Sequence, residues 1–249
     1  MSRFTVRRTL LAVLAASAAC VSLPAFASKE KPVIGFSIDD LRVERWARDR
    51  DYFIAAAKGL GAEVSVQSAD GDSAKQVAQI ENLISKKVDV LVIVPKDQST
   101  LTNVLKEAKK AGIKVVSYDR LIKSPDVDVY ISFDNYRVGQ MQGAALMKAL
   151  PKGSIYVMSG DPGDNNAKLF KAGALSEIDP FVKKGDIKIL GEQAVKDWLP
   201  ANALSIAENV LTQFNNKIDG FLGPNDGTAG GIIQALAGHR DPRSMEVYT

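Results

Sequence analysis

The sequence predicts an α/β protein of two lobes, each a parallel sheet flanked by helices. Three observations lead there. Short runs rich in Val and Ile recur along the chain, and segments with helical spacing separate them. The repeat of run and helix comes at intervals of roughly 25 to 30 residues, which describes successive βαβ units. The series then restarts after a break near residues 131–138, so the second set of strands belongs to a second sheet.

Taken in order, the first strands are expected at 33–38 (VIGFSI), 63–68 (EVSVQS), 89–94 (DVLVIV), 113–118 (IKVVSY) and 127–132 (VDVYIS). The run at 88–94 is apolar almost throughout, as a central strand covered on both faces must be. Between the strands, Val77, Ile80, Leu83 and Ile84 form one helical stripe, and Leu101, Val104, Leu105 and Ala108 form another. Gly59, Gly61 and Gly112 stand where left-handed helix caps are expected. Past the break come a helix to about Leu150, strands at 154–158, 186–191 and 218–222, and helices from about Asn166, after Pro200 and from about Thr228. The expected division is a first lobe over 28–133 and a second over 134–238, with an atypical tail at 239–249.

The formal charge of +3 resides entirely in residues 1–27, where Arg3, Arg7 and Arg8 face no acid. The remainder carries 29 basic and 29 acidic residues, which argues against a nucleic-acid or membrane-surface role. Residues 1–27 have a basic start, an apolar run from Leu10 and a small-x-small ending at Ala27. They read as an export signal for the general secretory path, removed after Ala27. Cys20, the only cysteine, offers a lipid-anchoring alternative. Removal of the signal leaves a chain without a disulfide, which a core of this size does not need. The expected destination is the periplasm.

In open α/β sheets, ligands collect beyond the carboxyl ends of the strands. Those ends are loaded here. From Asp39 to Asp51 the chain packs five acids, four arginines and Trp46 into thirteen positions. Asp119 and Arg120 follow another strand, as do Asp134 and Asn135. The second lobe adds GDPGDNNAK at 160–168, the pair Asp197 and Trp198, and GPNDGTAGG at 223–231. Carboxylates, amides and guanidinium groups together suit a neutral, hydroxyl-dense ligand, and an indole ring suits the C–H face of a sugar. Each residue also has a plainer reading. Arg48, Asp49, Arg50 and Asp51 read as solvated helix pairs. Asp119 and Arg120 would make a structural ion pair, and Trp46 a core ring. Asp39, Asp164 and Asp226 would be helix N-caps. A dinucleotide loop, a P-loop and a Ser-His-Asp triad are all missing, since the glycines are misplaced and His239 is the sole histidine. Neither an enzyme nor any cofactor is expected.

The segments IGFSIDDLRVERWARDRD, QIENLISKKVDVLVIVP, VVSYDRLI, YISFDNYRVG, DNNAKLFKAG, DWLPANAL and NDGTAGGIIQAL resemble the periplasmic D-xylose-binding proteins of bacterial ABC transporters. The resemblance runs from about residue 32 to 238. It implies the type I periplasmic binding protein fold, with two Rossmann-like lobes closing on one monosaccharide, D-xylose. It further implies a monomer that docks on a membrane permease. By matching motif, the sugar contacts would be Arg45, Trp46, Asp119, Arg120, Asp164 and Asn166, with Trp198 and Asn225 completing the set. The sequence departs from the family after Gly238, where HRDPRSMEVYT replaces the expected continuation. The second lobe is therefore expected to be incomplete, its sheet left with an open edge, and a non-functional fragment is the alternative.

Overall fold

The computed structural model describes residues 31–238 and 246–248. The expected export signal, the Cys20 anchor and most of the tail with His239 lie outside the described residues. The first sheet holds β1 (Val33–Ile38), β2 (Glu63–Ser68), β3 (Val90–Ile93), β4 (Lys114–Tyr118) and β5 (Val129–Ile131) in the order β2-β1-β3-β4-β5. All four pairings are parallel. The connecting helices are α1 (Glu44–Gly59), α2 (Ser73–Ser85) and α3 (Thr102–Lys110). β3 occupies the centre, as its unbroken apolar run predicted. Its alternation serves two cores: Leu91 and Ile93 pack with α2 and α3, while Val92 and Val94 pack with Phe36, Ile38 and Trp46 on the α1 side. Each strand residue faces opposite its predecessor, so a strand apolar at every position needs both faces covered.

The second sheet holds β6 (Gly153–Ser159), β7 (Ile187–Ala194), β8 (Gly220–Leu222) and β9 (Glu246–Tyr248) in the order β7-β6-β8-β9, again all parallel. α4 (Asn135–Ala149) and α5 (Asn165–Lys184) cover one face; α6 (Pro200–Gln213) and α7 (Asp226–Gly238) cover the other. β9 was not anticipated: Glu-Val-Tyr is too short to carry a period of its own. It extends the sheet past β8. The conspicuous apolar edge lies instead on the first sheet, where Val129, Ile131 and neighbouring Phe133 are exposed.

Two local expectations change. Gly59 is the last residue of α1 rather than its left-handed cap, which falls at Gly61 (φ +82°). Gly112 does adopt the left-handed conformation, at φ +75°. Asp39 caps no helix, because α1 begins only at Glu44, behind Val43. Asp72, Asp134 and Asp164 do cap α2, α4 and α5, each accepting from a backbone N–H in the first turn.

α4 and α5 cross at backbone contact. A Cβ at Gly139 would overlap the carbonyl oxygen of Phe170, and one at Gly173 would overlap that of Tyr136. Glycine is required at both places. The close crossing brings the first turns of the two helices together at the entrance to the second lobe, next to residues 132–134, where the chain passes between the sheets.

Candidate functional site

The carboxyl ends of the two sheets face each other across a cavity of about 280 Å³. The first lobe lines it with Arg45 and Trp46 from the start of α1, and with Asp119 and Arg120 from the end of β4. The second lobe contributes Asp164 and Asn166 at the start of α5, then Trp198 and Asn225 from the loops after β7 and β8. All eight positions selected from the sequence therefore border one space.

Arg120 is the centre of the first-lobe wall. Its Nη1 donates to Asp39 Oδ2 at 2.6 Å and to the Pro95 carbonyl at 3.2 Å. Its Nε lies 2.9 Å from Asp164 Oδ2, so one guanidinium joins the two lobes. Burial pushes the carboxyls of Asp39 and Asp164 above the usual range, and Arg120 offsets this only in part. Burial alone would lower Arg120, but Asp164 and Asp39 outweigh it and hold the guanidinium protonated.

Asp119 and Arg120 do not pair with each other as a simple structural pair would. Asp119 sits at φ +62°, in the left-handed region, and turns its carboxylate elsewhere. Its Oδ2 accepts from Arg45 Nη2 at 2.6 Å, and its Oδ1 accepts from Asn166 Nδ2 at 3.1 Å. The second contact crosses between lobes. Asp49, expected on the solvated helix surface, instead accepts from the Tyr118 hydroxyl at 3.0 Å and from Arg45 at 3.4 Å. Arg48 and Arg50 keep their expected surface partners, Glu44 and Asp51.

Three carboxylates on the cavity wall (Asp119, Asp164, Asp226) face two guanidinium groups (Arg45, Arg120), leaving the site with more acceptors than cations. Such a site favours a neutral ligand whose hydroxyls donate, and it repels phosphates. The indole nitrogens of Trp46 and Trp198 are buried and have no hydrogen-bond partner among the described residues. Both nitrogens are shielded, so the two rings offer the cavity carbon surface rather than a donor. The guanidinium carbons of Arg45 and Arg120 lie 4.6 and 5.4 Å from the Trp46 ring centroid, so this ring serves the arginines and the core together.

On the second lobe, Asn166 is held by its neighbour. Asn135 Nδ2 donates to Asn166 Oδ1 at 3.0 Å, which turns the Asn166 amide nitrogen toward Asp119. Asn225, rather than Asp226, is the side chain that caps α7, accepting from the Thr228 N–H at 2.9 Å. Trp198 ends the 3-10 turn Lys196–Trp198, and its ring occupies the space a Cβ at Gly160 would need. Phe170 meets it edge-on at 6.2 Å.

Sequence reasoning passed over a second cluster. Lys96 Nζ lies 3.0 Å from Asp161 Oδ2 and 2.8 Å from Asp197 Oδ1, joining the lobes outside the cavity lining. The sequence carries a signal for it: Lys96 follows β3 by three residues, beyond the carboxyl end of the central strand. Asn135 was noticed as a strand-end residue but not placed among the contacts.

Comparison with known proteins gives the chain a family. Residues 34–248 match the family model described as a periplasmic binding protein domain. The D-xylose-binding periplasmic protein of Escherichia coli is 52% identical over 230 residues, covering 92% of this chain and 69% of its own length. That of Haemophilus influenzae is 52% identical over 204 residues, covering 82% and 61%. A solved ABC-transporter solute-binding protein from Clostridium phytofermentans, with bound β-D-glucose, superposes with a TM-score of 0.79 at 34% identity, covering 86% of this chain and 70% of that one. The chain thus spans between three-fifths and seven-tenths of these relatives' lengths. It belongs to the periplasmic binding protein family.

Proposed function

From that membership we propose that this protein captures a monosaccharide in the periplasm, D-xylose first among candidates, and delivers it to the permease of an ABC transporter. Two relatives at 52% identity carry that sugar in their names. The observation that carries the reading is the cavity itself. It is bordered by residues from both lobes, with three carboxylates against two guanidinium groups and an indole ring from each lobe on its walls.

Binding here is a matter of closure without turnover. Arg45, Trp46, Asp119 and Arg120 would hold the sugar on the first lobe, and Asp164, Asn166, Trp198 and Asn225 would meet it from the second. A ligand that touches both walls only when they are shut shifts the open–closed equilibrium toward the shut form. The permease then has a distinct shape to recognise.

A hexose is the competing ligand, because the glucose-bound relative shares 34% identity and the same fold. Calorimetric titration with D-xylose, D-glucose and D-ribose separates the readings. Saturable heat with D-xylose the tightest supports the proposal. Tighter glucose binding would reassign the ligand, and no heat with any of the three would end the reading of this chain as a sugar receptor.

A further inference from the structure

Lys96 is anchored before it reaches across the cleft. Its backbone N–H donates to Gln76 Oε1 at 2.8 Å, and the fully buried Gln76 in turn donates to the Val94 carbonyl at 2.9 Å. The stem of the lysine therefore belongs firmly to the first lobe. Its ammonium belongs to the second. There it meets Asp161 and Asp197, with side-chain exposures of only 12%, 6% and 14% for the three groups.

The two carboxylates sit in the two loops that carry cavity residues. Asp161 lies three positions before Asp164, and Asp197 directly precedes Trp198. Asp161 ties these loops together, since its Oδ2 also accepts the Asp197 N–H at 2.7 Å. The loop so held is strained. Asp197 and Trp198 both have φ +58°, a conformation in which residues with a Cβ persist only when their surroundings impose it. Asp161 from the same lobe and Lys96 from the other hold Asp197, while Gly160 and Phe170 seat the Trp198 ring.

We propose that Lys96 is a positioning residue that couples closure of the lobes to placement of Trp198. When the lobes part, the ammonium leaves both carboxylates, and the left-handed turn loses its ion pair to the first lobe. When they close, the ion pairs re-form and fix the indole against the cavity. This inference rests on the sugar-binding reading, yet it concerns a contact outside the cavity and makes its own demands.

The test uses Trp46→Phe as a common background, so that Trp198 is the only remaining tryptophan. Lys96→Met in that background should raise the D-xylose dissociation constant about 10- to 100-fold, the range for losing a buried charge-assisted contact. At saturating sugar its Trp198 emission should stay red-shifted and open to acrylamide. Lys96→Arg, which keeps the cation, should recover part of both effects. Asp197→Asn probes the same contact from the other lobe if Lys96→Met does not fold. A Lys96→Met protein with unchanged affinity and the background's emission overturns the inference. So does weakened binding with a fully normal Trp198 signal at saturation, which would make Lys96 a latch and nothing more. Quenching of Trp198 in the sugar-free proteins, whose lobes stand apart, should be the same with and without Lys96→Met; a rise there would tie Lys96 to the fold of the loop rather than to closure and would overturn the inference. Failure of the Trp46-containing protein to bind any tested sugar would strike the binding proposal instead.

Discussion

Two charged clusters join the lobes, and they differ in what surrounds them. The Arg120 cluster is the more deeply buried, with side-chain exposures of 4% for Arg120, 0% for Asp39 and 2% for Asp164. Its Arg120 and Asp164 border the cavity. The Lys96 cluster lies nearer the surface, outside the cavity lining, and holds a loop rather than facing a ligand. Burial dominates the first: Asp39 and Asp164 are pushed up despite their arginine. In the second, burial is again the largest single influence, but hydrogen bonds and the lysine charge together exceed it. Burial would raise Asp161, but the Asp197 N–H and Lys96 hold its carboxyl below the ordinary value. The contrast separates a buried cluster on the cavity wall from one that lies outside it and is satisfied by its own partners.

The largest effect should come from breaking the deeper cluster. Arg120→Met leaves Asp39 and Asp164 buried without their cation, a loss of about 3–5 kcal/mol by analogy with other buried pairs. Chemical denaturation of the variant measures it, and a loss no greater than that of Lys96→Met would erase the distinction drawn above. Next comes the helix crossing that sets Asn135 beside Asn166. Gly139→Ala must push α4 from the Phe170 carbonyl, at a cost of about 1–3 kcal/mol. Affinity for sugar should fall with it, because the Asn166 amide loses its register. An unchanged melt and affinity would mean the crossing is looser than described.

Acid should act on the two clusters with opposite sign. Asp161 is lowered in the fold, so its contribution is present above 3.8 and is lost as pH falls through its folded value. Asp39 and Asp164 are raised, so theirs is fullest below 3.8 and is lost as pH rises through their folded values. Melting curves from neutral pH down to the carboxylate range should therefore show the gap between the unmodified protein and Asp161→Asn closing as acid is added. A constant gap would remove Asp161 from the account. The smallest effect belongs to Arg48→Ala, whose partner Glu44 is exposed; its melt should lie within about 0.5 kcal/mol of the unmodified protein.

Much of this architecture was legible because parallel strands covered on both faces must be apolar at nearly every position. The run at 88–94 announced the central strand, and Pro200 announced the start of α6. The eight cavity residues were legible for a different reason. They cluster after strand ends, and their motifs match those of one family. What escaped notice was set by contacts distant in sequence. Asp49 looks like any surface acid until Tyr118, 69 positions away, donates to it. Lys96 looks like a loop lysine after a proline, and only its distance to Asp161 and Asp197 gives it a role. The strand at Glu246–Tyr248 draws its order from pairing with β8, which no window of three residues can display.

The central claim is that a sugar occupies the space between the two walls. A crystal structure of the protein grown with D-xylose tests it most directly. The expected result is one pyranose in that space, its hydroxyls on Asp119, Asp164 and the two arginines and a C–H face against the Trp198 ring. A sugar bound elsewhere, or an unfilled space at saturating D-xylose, would contradict it.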